Sequence, residues 1–364
     1  MILKRIVLKN FRTYKDLSLE FHSRLIFFIG DNGEGKTNLL ESISLLSFLK
    51  SFRGNSDDEI LMWDENTFYI GSLCQGEEDF KLEYGFEKEP IRRKKIKLNN
   101  DIFKKQSDAF GLLPCVVLSP KDLIIIEGSH AERRKFIDSL ISLLHKPYLD
   151  ELLEYNRILK QRNITLKKQF NDLKMIDVYN AMLADKDESI RNKRKEIIEE
   201  LNFHYQKALS NLSGGKDDFI LIYKPNVDSK DRFLEKIQSN YQKDIRLGYT
   251  TVGSHRDEIF IGRDDKDILE FGSQGQKRSS VISLKTASFE LIRKKIKTDP
   301  ILLIDDVIRE LDIKRREFFV DLIRECGQAF FTTTDLEGIQ DYIGNLDESR
   351  QIFHVKNGSM VESK

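Results

Sequence analysis

The sequence predicts an α/β protein with a mixed sheet, an antiparallel β subdomain and an inserted helical domain. An apolar strand at 25–29 leads through a glycine-rich loop into a helix. Charged helical patterns then fill 131–209, and strand patterns return after that segment. Because strand–helix units lie near both termini, we expect one α/β domain built from residues 1–130 and 210–364. Residues 131–209 are expected to form the second, helical domain.

Each predicted element follows from local patterning. Alternating or continuous apolar runs bounded by turn residues predict strands at 2–8, 17–21, 25–29, 68–73, 80–86, 91–98, 115–118, 219–223, 259–261, 301–304 and 329–332. Apolar stripes at helical spacing predict helices from the glycine-rich loop to about 49, through much of 131–209, at 277–297 and at 313–325. The heptads of the middle segment are not sustained, so we expect a helical hairpin there, not a long coiled coil.

Composition excludes several classes of protein. Lys+Arg and Asp+Glu are both 60 among 364 residues, so any contact with nucleic acid needs a local basic patch. The three cysteines, Cys74, Cys115 and Cys326, lie far apart, which fits a reducing compartment and not a disulfide framework. The N-terminus has a strand pattern without a signal-peptide cleavage site, and no apolar run is long enough to span a bilayer. We expect a cytoplasmic protein with no membrane contact.

The glycine-rich loop fits the phosphate-binding pattern G-x-x-x-x-G-K-[ST] at every fixed position. Its glycines let successive N–H groups turn toward a phosphate at the positive end of the following helix. In this pattern the lysine reaches the β- and γ-phosphates and the threonine hydroxyl ligates Mg²⁺. The alternative is a glycine turn that opens an ordinary helix, but the flanking strand and helix favour nucleoside triphosphate binding. The candidate binding residues are Gly30, Asp31, Asn32, Gly33, Glu34, Gly35, Lys36, Thr37 and Asn38, with Thr37 as a metal ligand and Lys36 also as a catalytic residue.

Two aspartates at the end of an apolar strand predict the metal half of the same site. The strand 301–304 leads directly into Asp305 and Asp306. Asp305 would hold Mg²⁺ through its water shell, and Asp306 suits a catalytic base that orients or deprotonates the attacking water. The alternative is a solvated Asp-Asp turn, and the presence of the phosphate-binding loop favours the metal interpretation.

A third candidate segment precedes the predicted helix at 277–297. A hydroxyl and a glycine at a helix N-terminus form a second phosphate-binding surface, with the serine as the direct contact. The alternative is a serine N-cap without a ligand. The candidate residues are Ser273, Gln274, Gly275 and Gln276. The similar motif at 212–216 ends a helix, and the one at 255–257 lacks the later asparagine of a kinase catalytic loop.

With these residues assembled, the chain resembles the RecF family of bacterial recombinational-repair ATPases, within the SMC/ABC group. The phosphate-binding loop alone is shared by many ATPases, whereas the ordered set of motifs is specific and spans the whole chain. The matching segments are 8–12, 30–38, 119–123, 132–138, 253–257, 273–278, 303–307, 310–312 and 331–335.

The resemblance implies an ABC-type ATPase head with a small helical second domain. It implies an ATP-dependent homodimer, in which the Gly30 loop of one subunit and the Ser273 segment of the other grip one ATP with Mg²⁺. Asp312 matches the family's D-loop, which crosses that dimer interface. The resemblance further implies a DNA-stimulated ATPase whose slow hydrolysis releases the dimer. The expected partners are double-stranded DNA at junctions with single-stranded gaps and the RecR and RecO proteins, which help to load RecA.

Departures from the wider ABC pattern favour slow turnover. Asp306 stands where those ATPases usually have glutamate, as it does in the RecF family. Threonines at 332–334 occupy the region of the switch histidine, and no glutamine lies near Ser119 where a Q-loop is expected. The missing histidine also argues against the alternative of a transporter nucleotide-binding subunit. The short chain argues against another SMC-like ATPase with a long coil or a nuclease partner.

Residues that contact DNA are the least determined by the sequence. The basic cluster at 92–97 would either track phosphates or form a solvated face. Arg133 and Arg134 would either brace the helical domain or touch DNA. Arg12 and Arg53 are candidates to approach the nucleotide.

Overall fold

The structure, a computed structural model, describes residues 1–167, 173–264, 266–307, 313–335 and 350–362. The chain forms two compact units. Unit 1 comprises Met1–Asp122, Asn211–Gly215 and Ile282–Lys364, and unit 2 comprises Leu123–Ser210 and Lys216–Val281.

The described strands and helices are numbered in chain order. The strands are β1 (Ile2–Phe11), β2 (Tyr14–Glu20), β3 (Leu25–Ile29), β4 (Thr67–Gln75), β5 (Asp79–Glu87), β6 (Arg93–Leu98), β7 (Asp101–Ile102), β8 (Cys115–Leu118), β9 (Ile220–Lys224), β10 (Glu258–Arg263), β11 (Lys266–Asp267), β12 (Ile301–Asp305), β13 (Ala329–Thr333), β14 (Arg350–Lys356) and β15 (Ser359–Glu362). The α-helices are α1 (Lys36–Phe48), α2 (Asp57–Ile60), α3 (Ile124–Glu127), α4 (His130–Leu144), α5 (Lys146–Leu166), α6 (Leu173–Ser213), α7 (Lys230–Ser239), α8 (Tyr241–Leu247), α9 (Ile268–Phe271), α10 (Gln274–Ile296) and α11 (Ile313–Glu325).

Unit 1 contains two six-stranded sheets with different patterning. One is antiparallel, in the order β2-β1-β4-β5-β6-β7, and its strands alternate buried and exposed residues as expected when one face is solvated. The other has the order β15-β14-β3-β13-β12-β8. Its strands β3, β12 and β13 are buried along their whole length, as in parallel strands that are covered on both faces.

The parallel register brings two chemically important strand ends to one edge of the sheet. β13 pairs with both β3 and β12, so that Thr333 lies opposite Ile29 and Thr332 lies opposite Asp305. The residues that follow β3 and those that end β12 therefore meet across β13. Ligands of open α/β sheets characteristically bind beyond the carboxyl ends of the strands.

Helix α1 packs into the core that the two sheets of unit 1 share. Five of its apolar side chains are fully buried among residues of both sheets: Leu39, Leu40, Ile43, Leu45 and Leu46. This burial anchors the helix, because fully burying an aliphatic side chain is worth about 1.5–3 kcal/mol.

Unit 2 combines helices with the small sheet β11-β10-β9 and contains buried charges. Arg162 and Asp244 form an ion pair at 2.8 Å, and both side chains are 0% exposed. The Arg162 guanidinium also donates to Asn180 Oδ1 at 2.8 Å and to Thr250 Oγ1 at 2.7 Å. Buried charges need partners of this kind, since an unpaired one is costly.

The sequence predictions agree with most of the elements. The helix predicted at 313–325 has those bounds, and the strand predicted at 91–98 begins two residues later, at Arg93. The motif at 212–216 is a helix stop as predicted, because α6 ends at Ser213 and Gly214 adopts a φ of +64°. Helices α7 and α8 and the hairpin β14–β15 were not predicted.

The compact units group the chain differently from the predicted domains. Residues 216–281 cluster with the helical segment, whereas the sequence analysis assigned them to the α/β domain. The assignment of functional domains at 1–130, 131–209 and 210–364 stays a prediction.

The buried ion pair yields a stability prediction. Asp244→Asn removes the only charge that contacts Arg162 in the described part of the chain. The free energy of unfolding should therefore fall by about 3–5 kcal/mol. Urea denaturation followed by circular dichroism measures this change. Asp185→Asn is the control, because Asp185 pairs with Lys230 at the surface, and its transition midpoint should not move. Equal midpoints for the two variants would contradict the prediction.

Candidate nucleotide-binding site

The predicted phosphate-binding loop connects β3 directly to α1. The N–H of Gly30 donates to the carbonyl oxygen of Thr333 at 3.3 Å, which continues the pairing of β3 with β13 into the loop. Gly33 and Gly35 adopt φ values of +89° and +107°, in the left-handed region that favours glycine. At Gly35 a β-carbon would also lie only 2.7 Å from Thr13 Oγ1. Both glycines are therefore required by the loop's backbone.

Lys36 is the first residue of α1 and points back into the loop. Its ammonium donates to the carbonyl oxygens of Gly30 at 2.8 Å and Asp31 at 3.0 Å, and the residue is only 4% exposed. An ammonium has three N–H donors, so this arrangement holds the charge inside the loop with a donor to spare. The sequence pattern predicts that this lysine reaches the β- and γ-phosphates of a bound nucleotide.

Thr37 and Asp305, the two predicted metal ligands, are in direct contact. The Thr37 hydroxyl donates to Asp305 Oδ1 at 2.7 Å, and the Thr332 hydroxyl donates to the same oxygen at 2.8 Å. Burial raises the pKa of the Asp305 carboxyl, and the negative charge of Asp306 adds to this effect. The two hydroxyl hydrogen bonds and the charge of Arg53 oppose it. The Asp305 carboxylate is thus largely removed from solvent, and two hydroxyl groups donate hydrogen bonds to it in place of water.

Asp306, the predicted catalytic base, has an unusual backbone and an unused acceptor. Its φ is +48°, a conformation that aspartate tolerates better than most residues. Its N–H donates to both the carbonyl and hydroxyl oxygens of Thr332, at 3.3 Å and 3.1 Å. Its buried Oδ1 accepts no hydrogen bond from any residue that the structure describes. Strained backbone and unsatisfied acceptors of this kind concentrate at functional sites.

This donor set fits Mg²⁺. A hydroxyl, a buried carboxylate and a second carboxylate with a free oxygen are hard ligands, and Mg²⁺ usually takes one or two from the protein and keeps several waters. Within the described ranges there is no group of three or more His, Cys, Asp or Glu residues that would form an all-protein metal cage. The predicted ligands Thr37 and Asp305 therefore suit a metal that shares its coordination with phosphate.

A buried carboxylate on α1, which the sequence analysis missed, fixes two arginines beside the loop. Glu41 is 0% exposed and accepts from Arg12 Nε at 2.9 Å and Nη2 at 2.8 Å. Arg53 lies 3.5 Å from the same carboxylate and donates to Asn38 Oδ1 at 3.1 Å. Arg53 thus reaches the first turn of α1. The sequence held a signal for this site, because Glu41 is an acidic residue within an otherwise apolar helical segment.

The unpredicted hairpin β14–β15 packs against the loop. A β-carbon on Gly30 would lie 2.3 Å from the carbonyl oxygen of Val355, and the Glu34 carboxylate accepts a hydrogen bond from the N–H of Asn357. Asn357 and Gly358 form the turn with φ values of +49° and +70°. An Asn-Gly pair between alternating apolar residues is a strong hairpin signal, and it was present in the sequence.

The Ser273 segment opens α10 in unit 2 with a reciprocal capping arrangement. Ser273 Oγ accepts from the N–H of Gln276 at 3.3 Å, and Gln276 Oε1 accepts from the N–H of Ser273 at 2.9 Å. The amide groups of Gln274 and Gln276 also donate to Glu127 and Asp217. Ser273 is therefore an N-cap, and it is exposed at the positive end of a 23-residue helix. Gly275 lies in the first turn of that helix.

The structure does not assign a role to the predicted D-loop residue or to the basic cluster at 92–97. Asp312, the predicted D-loop residue, lies outside the described residues, as do Glu310 and Leu311. In the basic cluster, Arg92 pairs with Asp58 at 3.0 Å and Lys94 pairs with Asp57 at 2.9 Å, so part of its charge is neutralised.

Comparison with known proteins identifies the family. The family model described as the RecF/RecN/SMC N terminal domain matches residues 2–360. The DNA replication and repair protein RecF of Leptospira interrogans is 53% identical over 365 residues, which cover 100% of both chains. This chain belongs to the RecF family. RecF of Leptospira biflexa is 50% identical over 99% of this chain and 98% of its own length, and RecF of Clostridium botulinum is 36% identical over 99% and 100%.

Solved structures extend this RecF-family match to three dimensions. The recombination mediator protein RecF-ATPrS of the RecFOR pathway is 30% identical, with a TM-score of 0.89 over 100% of this chain and 98% of that chain. The RecF-ATP structure of the same pathway has a TM-score of 0.91. An Smc head domain from Pyrococcus furiosus, at 17% identity and a TM-score of 0.55, shares the fold alone.

The resemblance and fold class predicted from the sequence are therefore confirmed. The fold is that of an ABC-type ATPase head, and the chain is of the DNA replication and repair type that the RecF family represents. Among the described helices, none combines the length and the apolar character that a membrane crossing needs.

The buried Asp305 carboxylate yields a pH prediction. Because its folded-state pKa is raised, the unfolded chain releases this proton at lower pH than the folded chain, and stability falls as pH rises through that interval. Asp305→Asn keeps the acceptor oxygen for Thr37 and Thr332 without the charge. The melting temperature of the variant relative to wild type should therefore be higher at about pH 7 than at about pH 4. Asp79→Asn at the surface should show no such gain. The prediction would be contradicted if the melting temperature of Asp305→Asn relative to wild type were no higher at about pH 7 than at about pH 4.

Proposed function

We propose that this chain is an ATP-dependent DNA-binding protein for recombinational gap repair and replication-fork recovery. ATP drives two copies to pair on DNA, slow hydrolysis releases them, and RecR and RecO help to load RecA. The observation that carries the proposal is the hydrogen bond between Thr37 and Asp305, which unites the phosphate-binding loop with the carboxylate strand. The RecF-ATP structure with a TM-score of 0.91 supports ATP as the nucleotide.

Different residues of unit 1 bind the phosphates, hold the metal and orient water. The loop from Gly30 to Gly35 and the first turn of α1 present N–H groups, while Lys36 supplies a positive charge inside the loop. Thr37 and Asp305 would hold the metal as its protein ligands. When bound, the metal neutralises charge on the phosphates. Asp306 has an acceptor oxygen available to orient a water or take its proton.

The Ser273 segment supplies the second half of the site in a partner copy. An exposed, capped helix N-terminus attracts anions, and the Ser273 hydroxyl lies at that end of α10. Such an end gains stability only when the anion is present, so a triphosphate on one copy favours closure with another. Asp312 is proposed to contribute at the same interface. The dimer is then a state that ATP selects.

Substitution of Ser273 tests the pairing. Ser273→Arg places a bulky cation at the N-terminus of α10, so the variant should bind ATP as wild type does but stay monomeric at saturating ATP. Analytical ultracentrifugation with and without ATP measures this. Ser210→Arg, at another exposed serine, is the matched control and should still dimerise. A Ser273→Arg protein that dimerises with ATP would refute the shared site, and a Lys36→Met protein should fail to pair as well.

Substitution of Asp306 tests the proposed base. Asp306→Asn preserves the size of the side chain and suits the left-handed backbone, but it removes the proton acceptor. Single-turnover ATP hydrolysis should slow by about 10²–10⁴-fold, the usual contribution of a general base. ATP binding should persist and the dimer should last longer. Unchanged hydrolysis would remove Asp306 from the chemistry.

A further inference from the structure

Two neighbouring arginines of α4 have different roles in unit 2. Arg133 is 2% exposed, pairs with Asp267 at 2.7 Å, and donates to the carbonyl oxygens of Ile125, Ile126 and Ile259. It therefore braces the fold. Arg134 donates one hydrogen bond, to the carbonyl oxygen of Asp257, and is only partly buried. The sequence analysis left the role of both open, and the structure separates them.

Arg256 lies in the same turn that Arg134 contacts. Its guanidinium donates to the carbonyl oxygen of Thr250 through Nε and Nη2, at 3.4 Å and 3.2 Å, and lies 4.9 Å from the centre of the Tyr249 ring. The residue is exposed. Within the described residues, neither Arg256 nor Arg134 has a carboxylate within ion-pair distance. An arginine has five N–H donors, so both guanidinium groups retain several.

Two carboxylates beside this turn, those of Asp138 and Asp257, are bound by a third arginine. Arg194 is 2% exposed and binds both oxygens of Asp138 at 2.8 Å, and it binds Asp257 Oδ2 at 2.8 Å. Tyr223 donates to the same Asp257 oxygen, and the N–H of Asn226 donates to the other oxygen. Both carboxylates therefore bind Arg194 directly, and among the described residues neither of them forms an ion pair with Arg134 or Arg256.

The histidine between these arginines adds no charge. Burial, together with the charges of the arginines at 134, 194 and 256, lowers the pKa of His255 to about 4, although the hydrogen bond with Thr250 opposes this shift. Its ring nitrogens lie 2.7 Å from the Tyr155 hydroxyl and 3.0 Å from the carbonyl oxygen of Thr250. His255 is thus a neutral support for the turn. Burial and the charges of Arg194 and Arg256 likewise lower the pKa of Arg134, and the more distant charges of Asp257 and Asp138 oppose this shift.

We propose that Arg134 and Arg256 form a binding site for phosphate oxygens of the DNA backbone. Arginine forks match phosphate oxygens, and each guanidinium here is oriented by a backbone carbonyl while its other donors stay available. The inference rests on the proposed function, which requires contact with DNA, and it assigns that contact to the turn 253–257 and the start of α4. The basic cluster at 92–97 is the weaker candidate, because acids of α2 neutralise part of it.

The salt dependence of DNA affinity tests this site. The full chain with ATP is titrated with a fluorescent gapped duplex at several salt concentrations, as wild type, Arg134→Gln, Arg256→Gln and the double variant. Each lost phosphate contact should make the slope of log K against log salt shallower by about 0.9, hence by about 1.8 for the double variant. Lysine at both positions should restore the slope, because it keeps the charge. Restoration also separates the proposal from a folding defect, which thermal melting monitors.

Arg232→Gln is the matched control in unit 2. Arg232 is 72% exposed but lies 3.7 Å from Asp228, so its loss should leave the slope unchanged. A double variant with the wild-type slope would overturn the inference and leave the proposed function standing. Absence of DNA binding by wild type would overturn both. The same variants are also titrated with poly-glutamate. If the double variant keeps the wild-type slope on DNA but loses binding to poly-glutamate, the two arginines bind acidic proteins and the inference is overturned as well.

Discussion

One carboxylate oxygen, Asp305 Oδ1, connects three parts of unit 1. It accepts from Thr37 at the start of α1 and from Thr332 on β13, and it belongs to the last residue of β12. Each donor helps to offset the loss of water that burial imposes on this charge. These two hydrogen bonds therefore tie the start of α1 and strand β13 to the end of β12, and they bring hydroxyl and carboxylate oxygens together at the carboxyl edge of the sheet.

The arrangement destabilises the folded protein at Asp305 and Asp306 themselves. Asp305 is a buried charge, Asp306 has a left-handed backbone, and one oxygen of Asp306 accepts no hydrogen bond in the described chain. Such features are retained where a ligand uses them, because each costs free energy in the folded protein. In unit 2, Arg134 and Arg256 follow the same logic. Neither has a carboxylate within ion-pair distance among the described residues, and we propose that a phosphate takes that place.

Local patterns in the sequence were sufficient to predict the central elements. The strand, loop and helix around Gly30 and the strand ending at Asp305 follow from apolar runs and turn residues, so the elements that carry Thr37 and Asp305 were predictable. The position of Glu41 in an apolar helical segment was a signal, but its pairing with Arg12 and Arg53 was not predictable, because it depends on distant residues meeting in the fold. The hairpin at Asn357 was missed although its turn signal was present. The grouping of 216–281 with the helices depends on packing that periodicity does not encode.

Calorimetric titration of ATP with and without Mg²⁺, on wild type and Thr37→Val, tests the central claim most directly. Valine matches the shape of threonine but removes the hydroxyl that joins the loop to Asp305. The account predicts that Mg²⁺ strengthens ATP binding by wild type and loses this effect in the variant, while affinity without the metal stays similar. A Thr37→Val protein that keeps the full effect of Mg²⁺ would contradict it.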